Sequence, residues 1–401
     1  MTEKNRLGGL QLKKIKLIFD IDLRLVYAKN CSLIGNIVFN TILELWLLEK
    51  YNSATVLSNA VTLSGITAIV CSFIGGYLAD NKYSIRIMIL LNLISGIICA
   101  TPLFFGYSLP VIYLMVLLLN FSSNLSSPIY KKIIAFVYKG KQLPLYNEIM
   151  VISSQILSIT VAPISTFFFS LKIIDILPAI SINMLSFFVT AFLIKSLNVQ
   201  HLESQKRSVG FIKVFKKIIL NNEFGNNAKR IFLSNFWLNI FFTGYNIILI
   251  YVCTMLLNSK TLYSIVLFCE SLGGIIGGFS YILWKFDKKI LVERILLVIG
   301  SIVLYFSVVL QFNNGIPVSS LILAIAMTRY AVSSQSILQL DVEKENIGKV
   351  FSLLYIFSNI AIPIGSVFFG KFLDTNISIA VLLFTLGVCA TNIVWRVYKN
   401  E

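Results

Sequence analysis

Val161-Ala162-Pro163-Ile164-Ser165-Thr166-Phe167-Phe168-Phe169-Ser170 recurs two hundred positions later as Ala361-Ile362-Pro363-Ile364-Gly365-Ser366-Val367-Phe368-Phe369-Gly370. Proline, isoleucine, a pair of phenylalanines and the small residues return in register. A match of this kind, at equivalent places in two parts of one chain, predicts two tandem, related halves. Each copy also lies in an apolar run long enough to cross a bilayer, which takes about 20 residues for roughly 30 Å of hydrocarbon.

Runs of that length fall near 26–48, 55–79, 85–106, 109–130, 147–170 and 173–195, then 231–257, 261–284, 290–312, 316–338, 348–370 and 376–397. The composition fits them. The chain of 401 residues is 57% hydrophobic and only 13% charged, whereas soluble domains average roughly 45–50% and about 25%. A surface that faces water does not need to shed half its charge. One that faces lipid does, because a charge there costs about 2.5–3.5 kcal/mol even on the mildest scales. The expected fold is therefore an all-α membrane protein with twelve transmembrane helices in two six-helix pseudo-repeats. Residues 1–195 form the first half, 196–230 a polar and basic cytoplasmic linker, and 231–401 the second half.

The net charge of +16 does not point to nucleic acid, because its basic residues sit in short clusters between apolar runs. They gather around Lys82 and Arg86, from Lys131 to Lys141, from Lys195 to Arg230, from Lys285 to Arg294, at Lys344 and Lys349, and at Arg396 and Lys399. The alternate loops hold only Lys50, Lys172, Lys260 and Lys371. This bias predicts both termini in the cytoplasm. The six cysteines all lie in apolar runs without C-x-x-C spacing, so they read as small core residues, with no disulfide or metal site. Residues 1–28 lack the short apolar core and small-residue site of a cleaved leader. In the linker, Val209 to Ile219 alternates apolar residues with lysines, which suits an amphipathic helix on the inner leaflet or a solvated connection.

At the end of the second run stands Gly75-Gly76-Tyr77-Leu78-Ala79-Asp80-Asn81-Lys82-Tyr83-Ser84-Ile85-Arg86. It resembles the G-x-L-A-D-R-x-G-R-R signature of the major facilitator superfamily, departing from it at Asn81 and Tyr83. The resemblance implies a cytoplasmic gate motif built on Gly76, Asp80, Lys82 and Arg86. Two further segments, Trp46 to Ser58 and Ile347 to Leu353, are similar to macrolide-efflux-type drug exporters of that superfamily. Ala162-Pro163-Ile164-Ser165-Thr166 stands where antiporters of the superfamily carry a G-P-x-x-G-G-like motif. Pro163 and Pro363 are then helix bends, with a role in sealing one face or in ordinary packing.

Polar residues inside the runs are costly in lipid and so face a cavity or other helices. Ser32, Asn36, Asn40 and Glu44 are four apart and form one helical stripe. Asn235, Asn239, Thr243 and Asn246 repeat it in the seventh run, and Asn120, Asn124 and Ser127 add a third. They are candidate substrate-cavity residues or interhelical hydrogen-bond partners. Glu44, Glu270 and Arg329 are the ionisable candidates for proton coupling, with Arg329 a partner for one carboxylate. Glu270 precedes Gly273, Gly274, Gly277 and Gly278, which permit close helix packing.

No phosphate-cradling loop or soluble-enzyme constellation is present, so neither enzyme activity nor a cofactor is expected. The sequence points to a monomeric secondary transporter in the plasma membrane of a bacterium, partnered by lipid, protons and a small-molecule substrate. Export of amphipathic drugs or metabolites against inward proton flow is the leading expectation. Dedicated export of one product, such as a siderophore or peptide-like metabolite, is the alternative, ahead of uptake or a membrane scaffold.

Overall fold

The computed structural model describes residues 22–79, 83–138, 142–197, 225–283, 291–341 and 347–397. These form helices α1 (Arg24–Tyr51), α2 (Ala54–Ala79), α3 (Ser84–Phe105, interrupted at Ala100), α4 (Leu109–Val137), α5 (Gln142–Ser170) and α6 (Ile176–Lys195). The chain continues as α7 (Gly225–Tyr251, running into a π turn at Val252–Leu256), α8 (Lys260–Leu283), α9 (Leu291–Val309), α10 (Gly315–Asp341), α11 (Ile347–Thr375) and α12 (Ile377–Val397). Among the described residues, eleven are long and apolar enough to cross a membrane, and α12 offers a shorter apolar stretch, Ile377–Asn392. The expected runs and the observed helices agree to within a few residues at most ends. The main difference is α4, which continues through Lys131 and Lys132 to Val137. Helical hydrogen bonding can outrun the hydrocarbon where long lysine stems reach toward polar headgroups.

Large apolar side chains stand on the outside of these helices, among them Phe104 at 81% exposure and Phe192 at 71%. In water such faces would drive association; against lipid they need no cover.

The tight turns follow a pattern. Asn52 after α1 and Asn258 after α7 both take left-handed φ, as do Gly106 after α3 and Gln311 after α9. Asparagine and glycine suit that region best. A helix pair must reverse there within a few residues.

By its internal contacts the chain divides into two compact units: residues 1–39, 71–158 and 178–205, and residues 40–70, 159–177 and 206–401. Helices α1, α2, α5 and α6 each contribute to both units.

In the first unit, Asp22 stands just before the start of α1. The Asp22 carboxylate accepts the Arg24 backbone N–H at 3.0 Å and the Arg24 guanidinium at 2.6 Å. Arg24 also donates to the Ser196 carbonyl, and the Tyr138 hydroxyl donates to the Asp22 carbonyl. The Leu25, Ile129, Ile133 and Tyr146 side chains form the core behind this anchor.

In the second unit, α8 packs on α10, α9 on α10 and α12, and α7 on α11 and α12. Gly273 and Gly277 let α8 approach closely, since a Cβ on them would lie 2.5 Å from the Leu321 carbonyl oxygen and 2.7 Å from that of Ile325. This is a small-xxx-small contact of the membrane type.

The two prolines of the repeat do comparable work in this unit. The carbonyl of Pro163 in α5 accepts a hydrogen bond from Ser264 Oγ of α8 at 2.9 Å. Pro363 in α11 fills the space at Gly65 of α2, where a Cβ would sit 2.6 Å from its ring. Ser366 and Thr62 join one turn further along, at 2.7 Å. Asp374, at the end of α11, caps α2: its carboxylate accepts the backbone N–H of Ala54 at 2.6 Å and of Thr55 at 3.0 Å, and the Ser53 hydroxyl at 2.7 Å. A carboxylate at a helix N-terminus satisfies orphan donors and complements the helix dipole.

Candidate functional site

The first unit holds a polar cleft of about 50 Å³ among α1, α3, α4 and α6. Ser32 and Asn36 line it, as their stripe predicts, with the Asn36 amide 3.4 Å from Ser32 Oγ. Opposite them stand Asn92, Ser95 and Ser122, the last two hydrogen bonded at 2.7 Å. On α4 the cleft takes Ser122, Ser123, Ser126 and Ser127 but not Asn120 or Asn124. The Asn120 amide is turned onto its own helix, donating to the Val116 carbonyl at 2.9 Å. A shift of one or two residues rotates a helical stripe by about 100–200°, so the asparagines pointed to the right helix and to a neighbouring face.

Lys29 was not singled out by the stripe, yet it brings a cation to this cleft. Its ammonium lies 5.2 Å from the centre of the Tyr130 ring, and the Tyr130 hydroxyl is tied to the Leu25 carbonyl at 2.5 Å and to Tyr146 at 3.0 Å. Among the described residues no carboxylate lines the cleft. The arrangement offers hydroxyls, amides and one ammonium, a surface for oxygen-rich or acidic groups. The sequence signal for Lys29 was its position about one helical turn before Ser32, hidden by its nearness to the basic N-terminal segment.

In the second unit the matching stripe is engaged differently. The Asn235 amide donates to Ser358 Oγ of α11 at 2.7 Å, the Asn239 amide to the Asn235 carbonyl at 2.7 Å, and Thr243 Oγ1 to the Asn239 carbonyl at 2.8 Å. These groups tie α7 to itself and to α11. Asn40 and Asn246 are exposed.

The ionisable candidates separate into two groups. Arg329 is 3% exposed and pairs with Glu293 of α9, its guanidinium 3.5 Å from Oε1. Ser333 donates to the same oxygen at 3.2 Å, and Arg329 donates to Ser280 Oγ at 2.7 Å. Neither Glu44 nor Glu270 is the salt-bridge partner. The neighbouring Arg294, grouped by sequence with the basic loops, is instead buried inside α9, donating to Ser234 Oγ at 2.7 Å and to the Thr391 carbonyl at 3.0 Å. Glu293 and Arg294 fall inside the expected 290–312 run, which was the available signal; their adjacency to Lys288 and Lys289 concealed it.

Glu44 and Glu270 are half-buried. Glu44 lies in α1 and Glu270 in α8.

Of the gate motif, Asp80 and Lys82 lie outside the described residues, as do Val209 to Ile219 and His201 of the linker. Gly76 belongs to α2. Arg86 is exposed at the start of α3, its guanidinium 5.4 Å from the ring of Tyr83, the residue that replaces the motif's glycine.

Comparison with known proteins places this architecture. No curated protein sequence matches the chain. Solved structures do, with low identity and extensive coverage. A mutant of the nucleoside transporter NupG aligns with a TM-score of 0.73 at 12% identity, covering 94% of this chain and 99% of that one. The POT family transporter PepTSo aligns with a TM-score of 0.74 at 12% identity, covering 94% and 97%. A bacterial homologue of the iron transporter ferroportin, in an inward-facing state, aligns with a TM-score of 0.72 at 11% identity, covering 94% and 98%. At such identities the likeness is one of fold. The sequence itself matches the family model of the Major Facilitator Superfamily over residues 27–366, and with apolar helices, fold and sequence in agreement, the chain belongs to that superfamily of secondary transporters.

Proposed function

We propose that this transporter exports an amphipathic small molecule in exchange for protons, with Glu44 and Glu270 as the groups that carry the proton. Membership of the superfamily gives secondary transport by alternating access; direction, coupling ion and substrate are the further steps taken here. The observation that carries the coupling is that Glu44 and Glu270 lie half-buried inside α1 and α8 while Arg329 is paired with Glu293. A coupling carboxylate must be protonated in one phase of the cycle and charged in another. A permanent arginine partner would hold it charged throughout, and Arg329 has taken another glutamate. Both termini lie in the cytoplasm in this account, as the loop charges support. The two halves are related repeats, supported by the matched prolines at 163 and 363 and the matched left-handed turns at 52 and 258.

The hydroxyl-lined cleft with Lys29 favours a second reading, dedicated export of one oxygen-rich or acidic product. A cleft for lipophilic cations would carry a carboxylate rather than an ammonium. Proton movement in reconstituted vesicles tests the coupling, with ethidium and erythromycin as amphipathic probes. The native chain is expected to move protons when either probe is added, and Glu44→Gln and Glu270→Gln to lose at least tenfold of that flux. Retention of full flux by both variants assigns the coupling elsewhere. Absence of flux with both probes, alongside flux with an acidic metabolite extract, selects the dedicated reading.

A further inference from the structure

Most hydroxyls around the cleft of the first unit have their protons committed. Ser95 donates to Ser122 at 2.7 Å, Ser122 to the Leu91 carbonyl at 3.1 Å, Ser126 to the Ser122 carbonyl at 2.9 Å, and Thr190 to the Ala28 carbonyl at 3.1 Å. These bonds fasten helices to themselves and to one another. Ser123 and Ser127 differ. Both line the cleft, both are exposed, and no hydrogen bond joins either to a described residue. Four residues apart, they share one face of α4.

Lys29 is the cation of the cleft and is exposed as well. Its ammonium rests against the Tyr130 ring, and neither a hydrogen bond nor an ion pair ties it to a described residue. Tyr130 itself is buried and fixed through its hydroxyl to the Leu25 carbonyl and to Tyr146. An ammonium and two hydroxyls left exposed within the α1 and α4 spans are expensive against lipid, so they face an aqueous space.

The size and charge of that space limit what it can hold. About 50 Å³ is room for about three to five water-sized groups, far below the roughly 300–1,000 Å³ of a site that encloses a drug-sized ligand. The cleft can take a headgroup, with the rest of the molecule outside it. One ammonium, with no carboxylate among the described lining residues, balances a single negative charge; a phosphate monoester would carry more than it can neutralise. Lysine also meets an anion as a point charge and not as a fork, which leaves the neighbouring oxygens to the serines.

On the reading of an acidic, oxygen-rich product, we propose that this cleft binds the 2-hydroxycarboxylate end of an amphipathic acid. Lys29 is the counter-ion of the carboxylate, the Ser123 and Ser127 hydroxyls bond the other oxygens, and Tyr130 positions the ammonium. Such an end has about five heavy atoms, which matches the space. The apolar remainder of the acid supplies its amphipathic character.

The purified full-length chain is titrated calorimetrically with lactate, 2-hydroxyhexanoate and mandelate, and with the three corresponding amides as neutral isosteres. The native chain should bind at least one acid about tenfold or more tighter than its amide, the worth of a charge-assisted bond. Lys29→Gln should abolish this preference while the amide, which makes no charged contact, still binds within about twofold of native; misfolding would weaken both. Lys29→Arg keeps the charge and should retain the preference. Ser123→Ala with Ser127→Ala should weaken the acid roughly two- to tenfold. Lys131→Gln, at an exposed lysine of α4 outside the cleft, should change it by about twofold at most. If the native chain prefers acids and Lys29→Gln keeps that preference, the acidic product stands and the assignment of Lys29 is overturned. If the native chain binds no acid more tightly than its amide, the acidic product and the site fall together.

Discussion

Glu293 and Arg329 form the most tightly enclosed ion pair of the molecule as described, each side chain under 5% exposed. Two buried charges cost several kcal/mol to desolvate, and the mutual attraction offsets this only while both are present. Arg329→Met is therefore expected to destabilise the protein by about 3–5 kcal/mol, read as a fall in thermal unfolding temperature in detergent. The double change with Glu293→Gln should cost less than the sum of the two single changes, since it removes both charges; additivity would mean that the pair is not coupled. Asp22 gives a pH-dependent case at the membrane edge. Its side-chain hydrogen bond with Arg24 holds its carboxyl below the ordinary 3.8, against the opposing effect of burial. A depressed carboxyl stabilises the folded state above its ordinary pKa and loses that contribution as pH falls through its lowered value. Asp22→Asn should thus flatten the acid limb of the stability profile below about pH 4 and leave the profile near pH 7 almost parallel to the native one.

At the scale of helices, the contacts that matter are close approaches and caps. Gly277→Leu would drive a side chain into the α10 backbone at Ile325, and overpacking of this kind costs about 1–3 kcal/mol. Gly278→Leu is the control, because a Cβ there meets nothing within 4 Å; it should change the unfolding temperature by less than a third as much. Asp374→Ala uncaps α2 and is expected to cost about 0.5–2 kcal/mol in the same assay. The helices themselves were legible in the sequence, since twenty apolar residues bounded by lysines admit few other structures. The turns at Asn52 and Asn258 were less so, because two or three polar residues fit several conformations. Nothing local announced that Asp374 would cap a helix more than three hundred residues away. A cap supplied from another helix depends on tertiary placement, which periodicity does not carry.

On the scale of the whole molecule, the sequence separated polar stripes from lipid-facing surface but did not sort their partners. Ser32 and Asn36 line a cleft, whereas the corresponding Asn235 and Asn239 hold α7 against Ser358. Both pairs are polar and four residues apart; the difference arises from which neighbour stands opposite. For the same reason Arg329 could be recognised as a partner of some carboxylate, while the choice of Glu293 required the packing of α9 on α10. Glu44 and Glu270, neither of them the partner of that arginine, carry the account's central claim that proton and substrate cross on the same carrier. The most direct test reconstitutes the native chain and the Glu44→Gln, Glu270→Gln double variant, and measures two modes with one radiolabelled substrate. The account predicts that the double variant keeps substrate exchange at equal concentrations within about threefold of native while losing accumulation driven by a pH gradient. Accumulation at the native level in the double variant would contradict it.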